Sequence, residues 1–287
     1  RRRDVATYLP ALDDLKGGAS VRRNFRFLSV IMLILAVSYL PVTPAFAKHP
    51  LITDDTGTQG KGRTQLEVTS EVGFDKEKDD SSGKEATTES RESEVRATLS
   101  YGLFENTDLV LSVPYQWKKT EVDSATVSDV NGFADLSVEV KWQFFKKDGL
   151  SFAVKPGLII PTGEKDKDLG TGRAGYTFFL IASKEKEPWE LHANLGYKRN
   201  ENDLGERRDI WHASLAGGWK IYEKLELVAD IGVERNPDKE TDTHPAFILG
   251  GIVYSVAENF DIDAGIKGGL NKAETDYTFL AGVTFRF

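Results

Sequence analysis

The segment from Tyr277 to Phe287 alternates between two kinds of residue, and this alternation limits most strongly what the chain can fold into. One set of positions holds Tyr277, Phe279, Ala281, Val283, Phe285 and Phe287, and the other holds Thr278, Leu280, Gly282, Thr284 and Arg286. A period of two residues is that of a β-strand, whose successive side chains point to opposite faces. A strand with so apolar a face would promote aggregation in water. Facing lipid, it is what a transmembrane β-barrel requires.

The beginning of the chain points the same way. Three arginines at 22, 23 and 26 precede an apolar run at 27–40, and Ala45-Phe46-Ala47 follows. This order predicts a secretory signal peptide at 22–47, cleaved before Lys48. Residues 1–21 would then be an upstream extension or belong to a mis-assigned start. We therefore expect an N-terminal periplasmic segment or plug at 48–62 and a barrel at 63–287, whose final Phe is similar to the terminal signature of outer-membrane proteins.

Composition excludes several classes of protein. The chain has no cysteine, so disulfides, thiolate metal sites and a cysteine nucleophile are excluded. Its formal net charge of −8 repels phosphate, so we expect no nucleic-acid partner. No motif indicates a cofactor or a metal. Beyond residue 47 no apolar run approaches the ~20 residues of a membrane helix, so a membrane span must be formed by β-strands.

Twelve alternating segments follow residue 60. They lie at 64–74, 90–102, 106–118, 131–145, 150–161, 171–183, 188–199, 209–220, 224–235, 244–255, 258–270 and 275–287. Short connections alternate with long polar ones at 75–89, 119–130, 162–170, 200–208 and 236–243. Short periplasmic turns and long external loops are typical of bacterial barrels. The prediction is an all-β, antiparallel, up-and-down transmembrane barrel of about 12 strands, and a soluble β-sandwich is the alternative.

Four stretches carry a resemblance to a known family. They are HPLITDDTGTQGKGRTQLE at 49–67, LSVPY at 111–115, GFADLSVEVKWQFF at 132–145 and PGLIIPTGEKDKDLGTG at 156–172. Together they resemble the outer-membrane family named for the meta-pathway of phenol degradation, over essentially all of 49–287. The resemblance implies a transporter of small aromatic or other hydrophobic compounds, and it implies no particular residue as a substrate site.

The best functional candidates are charged residues on the expected lumen face. They are Glu94, Arg96, Asp135, Glu139, Lys141, Lys155, Arg173, Glu190, His192, Glu226, Asp230, Asp261, Asp263, Lys267 and Arg286. One interpretation is a wet lumen whose charges select solutes, and the other is an ion-pair network that fills a narrow barrel. A barrel of twelve strands lies between packed barrels of ~8 strands and open porins of ~16.

Two further features leave alternatives open. The segment 48–62 is either a plug, with Asp54 and Asp55 pairing with basic wall residues, or a periplasmic tether. Pro114, Pro156 and Pro161 each predict a bulge or a strand end, because proline cannot donate to the ladder. A gap at Pro114 would be either a lateral exit toward lipid or a harmless bulge.

The sequence indicates no enzyme. There is no G-x-S-x-G or H-E-x-x-H motif, and His192 and His212 are expected to face the lumen. The expected location is the bacterial outer membrane. The expected partners are outer-membrane lipid, lipopolysaccharide, the barrel assembly machinery and a small solute. The leading hypothesis is a channel for passive diffusion of small solutes, and the alternative is a non-transporting structural or interaction barrel.

Overall fold

The computed structural model describes residues 49–79 and 86–287, all within the compact unit Val42–Phe287. The upstream extension at 1–21 and the signal peptide at 22–47 lie outside the described residues, as does the tip of the first predicted loop. Among the residues described, no helix has the length and hydropathy of a membrane span.

The described residues form thirteen strands and one short 3-10 helix, Lys165–Lys167. The strands are β1 (Thr64–Asp79), β2 (Ala86–Phe104), β3 (Thr107–Val122), β4 (Ala125–Phe133), β5 (Leu136–Lys147), β6 (Leu150–Ile160), β7 (Gly175–Lys186), β8 (Trp189–Arg199), β9 (Asp209–Tyr222), β10 (Leu225–Glu234), β11 (Ala246–Ala257), β12 (Phe260–Gly269) and β13 (Tyr277–Arg286). All neighbouring pairs are antiparallel; β1 pairs with both β2 and β13, and β2 also pairs with β3. The sheet therefore closes on itself, and because β4 and β5 follow one another along β3, it is a barrel of twelve strands, as predicted.

The barrel closes where its first strand, β1, pairs with its last strand, β13. Thr64 N–H donates to Phe287 O at 2.7 Å, and Phe287 N–H donates to Thr64 O at 2.9 Å. From there the ladder runs through ten residues of each strand, from Gln65 opposite Arg286 to Phe74 opposite Tyr277. Closure removes the unpaired edges that a lipid environment could not satisfy.

The alternating residues of the strands form an apolar outer face and a polar inner face of the barrel. On β13, Tyr277 is 46% exposed and Phe279 49%, whereas Leu280 is only 4% exposed. On β3, Leu111 faces outward while Ser112 is buried on the lumen side. Aromatic pairs stack on the outer face at both ends of the strands, such as Trp189 with Trp219. This is the aromatic girdle that membrane interfaces favour.

The fourth predicted segment, 131–145, is not one strand. The ladder breaks at Ala134–Asp135, between β4 and β5, beside Pro114 of β3. Ala134 N–H donates to Pro114 O at 3.0 Å. Phe133 is exposed, and Leu136 pairs with the exposed Ile160, so the alternation changes phase across the break and both residues face outward. The predicted irregularity at Pro114 is thus taken up by the neighbouring strand.

The other two prolines also interrupt pairing. Pro156 lies where the β5–β6 ladder skips from Glu139–Gly157 to Trp142–Val154, and Pro161 directly follows the end of β6. Both observations agree with the missing N–H of proline.

Two predicted long loops are shorter than expected. β1 and β2 extend into the 75–89 region, and the 119–130 region is a hairpin whose turn is Asp123–Ser124. Both turn residues have positive φ, 49° and 65°, which suits the twist of a two-residue hairpin. Strands of 16 and 19 residues exceed the ~9–11 needed to cross a membrane, so these hairpins project beyond the barrel rim.

Candidate functional site

The lumen wall carries most of the charged residues that the sequence singled out. Their side chains project inward and are largely buried: Lys141, Glu190, His192, Glu226, Asp230, Asp261, Asp263 and Arg286. Several pair with one another. Arg286 Nη2 lies 2.5 Å from Asp261 Oδ2, and Lys267 Nζ lies 2.8 Å from Glu274 Oε1. Buried charges of this kind require partners, since an unpaired charge costs several kcal/mol.

Two of the predicted lumen residues lie elsewhere. Asp135 lies in the β4–β5 break, where it accepts hydrogen bonds from Gly163 N–H and from both the N–H and the hydroxyl of Thr171. Asp135 therefore holds the loop between β6 and β7.

Arg173 lies in that same loop, outside the strands, and its side chain is 55% exposed. Its Nε lies 2.5 Å from Asp203 Oδ1, and this hydrogen bond holds the pKa of Asp203 below its usual range. Both residues were predicted to lie on the wall because the segments 131–145 and 171–183 were each predicted to be an unbroken strand.

The N-terminal segment, residues 49–62, enters the barrel instead of extending away from it. At the short-turn rim, Gly62 N–H donates to Gly102 O at 2.8 Å. Farther in, Gln59 N–H donates to the Asp108 carboxylate at 2.9 and 3.1 Å. At its far end His49 Nδ1 contacts Asp263 Oδ1. The segment thus crosses the lumen from β3 to β12.

Asp54 and Asp55 both meet basic wall residues. Asp54 Oδ1 accepts a hydrogen bond from Lys141 Nζ and Asp54 Oδ2 one from Lys155 Nζ, both at 2.8 Å, and Oδ1 also accepts the Asp55 N–H at 2.9 Å. Asp55 Oδ1 lies 4.0 Å from Lys141 Nζ. Glu139 Oε2 lies 3.6 Å from Lys155 Nζ. One aspartate of the segment therefore bridges two adjacent strands, β5 and β6.

Asp230 on β10 holds the next part of the segment. Its Oδ2 accepts the N–H groups of Ile52 and Thr53, both at 2.8 Å, and its Oδ1 accepts the Thr53 hydroxyl at 2.7 Å. The same hydroxyl lies 2.7 Å from Ser214 Oγ. A buried wall carboxylate thus takes the place of water for two backbone N–H groups of the segment.

An apolar seat receives the far end of the segment. Leu51 packs in a buried cluster with lumen-facing residues of β9–β13: Ala216, Val228, Phe247, Leu249, Val253 and Leu280. Beside it, Pro50 lies over Gly251 and Gly265. A Cβ atom at Gly265 would lie 3.0 Å from Pro50 Cβ, so the glycines leave room for the proline ring.

A hydrogen-bonded chain under the segment has the residue types of a hydrolase triad. Ser183 Oγ lies 2.8 Å from His192 Nδ1, and His192 Nε2 lies 3.0 Å from Glu190 Oε1. Thr56 N–H donates to Ser183 Oγ at 3.1 Å, and the serine and histidine are buried beneath it. These hydrogen-bonded side chains therefore anchor the segment at a point that solutes in the lumen do not reach.

A polar cavity of about 850 Å³ remains between the segment and the opposite wall. It is lined by the segment and by β1, β2, β3, β5 and β6, and its charged lining includes Glu67, Arg96, Asp108, Lys141 and Lys155. Turn-end residues such as Glu105 and Lys146 lie at its short-turn end. The segment thus occupies part of the lumen, and a polar space remains beside it along β1–β3.

A second cavity of about 520 Å³ lies at the long-loop end. Its charged lining residues are Asp75, Glu77, Glu92, Asp238, Glu274 and Lys272. Along β1 and β2 the lining changes from the inner to the outer cavity between Glu71 and Gly73 and between Arg96 and Glu92. Within the described ranges, no group of three or more His, Asp or Glu residues is arranged to hold a metal ion.

Glu94 lies at the level between the two cavities. Its carboxylate oxygens accept hydrogen bonds from Arg96 Nε at 2.8 Å and from Gln116 Nε2 at 2.7 Å. This cluster crosses from β2 to β3 where the inner cavity ends.

The apolar seat was not predicted. Leu280 lies among Thr278, Gly282 and Thr284 on the face of the last segment that is otherwise small, polar or charged. The signal was a large aliphatic residue on the otherwise small and polar face, which indicates something apolar inside the lumen.

A model of one protein family matches most of the chain. Residues 53–287 match the model of the family described as "Putative MetA-pathway of phenol degradation". The chain belongs to this family. The match begins at Thr53, inside the lumen segment, and runs through β13. A comparison with curated proteins finds no sequence relative.

Two solved structures similar to this family member come from Pseudomonas putida. The COG4313 outer membrane channel from Pseudomonas putida F1 superposes with a TM-score of 0.61 at 14% identity, covering 81% of this chain and 98% of that one. The P. putida toluene transporter TodX gives 0.49 at 12% identity, covering 78% and 89%. At these identities the first likeness establishes the barrel fold.

Proposed function

We propose that the chain is a channel of the bacterial outer membrane through which small solutes diffuse passively. The observation that carries the proposal is the polar cavity of about 850 Å³ that follows β1–β3 beside the N-terminal segment. A barrel built only to be structural would have no need of a hydrated, charge-lined space of this size. Outer-membrane lipid and lipopolysaccharide would surround it, and the barrel assembly machinery would insert it.

The N-terminal segment is part of this proposal as a plug. Its contacts with Asp230, Lys141 and Lys155 hold it across the lumen, and the apolar seat holds Pro50 and Leu51. Most of these contacts are hydrogen bonds and ion pairs that water can replace, so the plug can be displaced without unfolding the wall. Because the family is described by phenol degradation, a small aromatic compound is the proposed solute.

The alternative is a non-transporting barrel with a structural or interaction role. The observation that favours it is the same segment, which crosses the lumen and is held by at least eight hydrogen bonds. Conductance decides between the two functions, because a closed lumen passes no current.

The test uses the purified barrel in planar lipid bilayers and the same barrel in cells. The wild type is compared with a variant lacking residues 49–61, and uptake of a radiolabelled phenol is measured beside conductance. We expect a small, fluctuating conductance in the wild type, and a larger, steadier one together with faster uptake in the deletion. If neither the wild type nor the deletion variant gives a current or barrel-dependent uptake, the channel is ruled out and the structural role remains.

A further inference from the structure

The two lysines that hold Asp54 have the geometry of a carboxylate-binding site. Lys141 and Lys155 lie on adjacent strands, and each presents its Nζ to a different oxygen of one carboxylate at 2.8 Å. Their side chains are only 11% and 16% exposed. Ammonium groups held this firmly bind a carboxylate with charge-assisted hydrogen bonds, which are about twice as strong as neutral ones.

The site is open to the inner cavity. Asp54, Lys141 and Lys155 all line the space of about 850 Å³, a size within the ~300–1,000 Å³ range of ligand pockets. Val110 and Ile52 line the same space, and Ile52 is 39% exposed although it is a large apolar residue inside a lumen. A ligand here would meet two cations at one end and aliphatic side chains beside them.

We propose that Lys141 and Lys155 form a binding site for the carboxylate of a small organic acid with an apolar body. Such an acid competes with Asp54 for the two ammonium groups and so releases the N-terminal segment from the wall. The inference rests on the proposed function in one respect, since the acid must reach the lumen.

The competition is balanced because both competitors make the same two contacts. Asp54 has the advantage of its tether, which gives it an effective concentration of the order of millimolar or above. We therefore expect the acid to act at millimolar concentrations on the wild type. Glu139, 3.6 Å from Lys155, adds a negative charge at the site, so a monocarboxylate is preferred over a dicarboxylate.

Isothermal titration calorimetry on the folded, full-length barrel in detergent micelles tests binding directly. The probe is benzoate, and its matched neutral and cationic analogues are benzyl alcohol and benzylammonium at constant ionic strength. We expect heat of binding from benzoate alone. Equal binding of benzyl alcohol would overturn the proposal, because the site would then recognise the ring and not the carboxylate.

Three variants locate the site. Asp54→Asn removes the competing charge, so benzoate should bind at least tenfold more tightly than to the wild type. The double variant Lys141→Met with Lys155→Met should lose binding. Lys146→Met is the matched control, because Lys146 lines the same cavity near the rim but makes no hydrogen bond or ion pair with Asp54 among the described residues, and it should bind like the wild type.

Failure of this inference can be distinguished from failure of the proposed function. If the barrel conducts potassium chloride but shows no heat of benzoate binding, in the wild type and in Asp54→Asn, the carboxylate site is overturned and the channel function still stands. A barrel that binds benzoate in the predicted variant order but conducts no ions leaves the site and overturns the channel. Undiminished binding in the double lysine variant also overturns the site, and circular dichroism confirms that each variant is folded.

Discussion

Thr53 is held by both oxygens of one wall carboxylate: its N–H donates to Asp230 Oδ2 at 2.8 Å and its hydroxyl to Asp230 Oδ1 at 2.7 Å. This pair couples the position of the N-terminal segment to the charge state and shape of a single side chain on β10. The segment can therefore be released by changes in the wall as well as by changes in the segment itself.

Removing the Asp230 charge should free the segment. Hydrogen bonds to a charged group contribute about 1.5–3 kcal/mol each, so Asp230→Ala should raise the open fraction of the channel strongly. Single-channel recording in planar bilayers measures this. Asp261→Asn is the control, because Asp261 is equally buried but pairs with Arg286 of the wall, and it should lower the stability without raising the conductance. Unchanged conductance in Asp230→Ala would show that this carboxylate does not hold the plug.

The glycine seat of Pro50 gives a steric test. Gly265→Val places a side chain against Pro50 and should displace the far end of the segment, so that conductance approaches that of the 49–61 deletion. Gly250→Val is the matched control in the paired strand, because a Cβ there meets nothing within 4 Å among the described residues. If both valines alter conductance equally, the seat has no role in holding the plug.

Neighbouring positions on β3 should respond differently to arginine. Leu111→Arg places a charge on the lipid face and should cost about 2–4 kcal/mol near the bilayer midplane. Ser112→Arg points into the hydrated lumen and should cost less. Urea unfolding in lipid bilayers gives both values, and equal losses would contradict the assigned faces.

Cation preference should depend on the outer cavity. Asp230 and Asp263 of the lumen wall both contact the N-terminal segment, so we do not assign this role to them. Glu77, Glu92 and Asp238 at the outer mouth are exposed, Lys272 is the basic residue of that lining, and a narrow mouth concentrates the field of the acidic residues. Glu77→Gln with Glu92→Gln should therefore reduce the reversal potential in a salt gradient. The pair Glu223→Gln with Glu258→Gln, at the opposite rim, should have a smaller effect.

Orientation can be read by thiol labelling, since the natural chain has no cysteine. Asp166→Cys and Lys239→Cys lie in long loops and should react with an impermeant maleimide on intact cells. Lys147→Cys lies at a short turn and should react only after lysis. The reverse pattern would invert the topology.

Strict alternation made the barrel predictable, because a lipid-facing strand leaves little freedom in where its apolar residues lie. Tyr277 and Phe279 could be placed from spacing alone. The break at Ala134–Asp135 could not, because it arises in one strand from a proline in its neighbour, Pro114. Arg173 was misplaced for the related reason that a loop of mixed polarity also alternates by chance.

The lumen contacts were only partly accessible to prediction. Pairing of Asp54 with wall lysines follows from charge, and it was anticipated as one of two possibilities. The seat of Pro50 over Gly251 and Gly265 depends on residues about two hundred positions away, and glycine in a strand has several explanations.

The reciprocal bonds between Thr64 and Phe287 have a consequence for biogenesis. The N-terminal segment ends at residue 62, immediately before the strand that completes the circle. That pairing joins positions more than two hundred residues apart, a contact of the kind that slows folding. Once it forms, the lumen is surrounded on all sides, and a segment still outside would have to thread back through the opening at the short-turn rim. We therefore expect the N-terminal segment to enter the lumen at the same time as β1 pairs with β13, late in assembly.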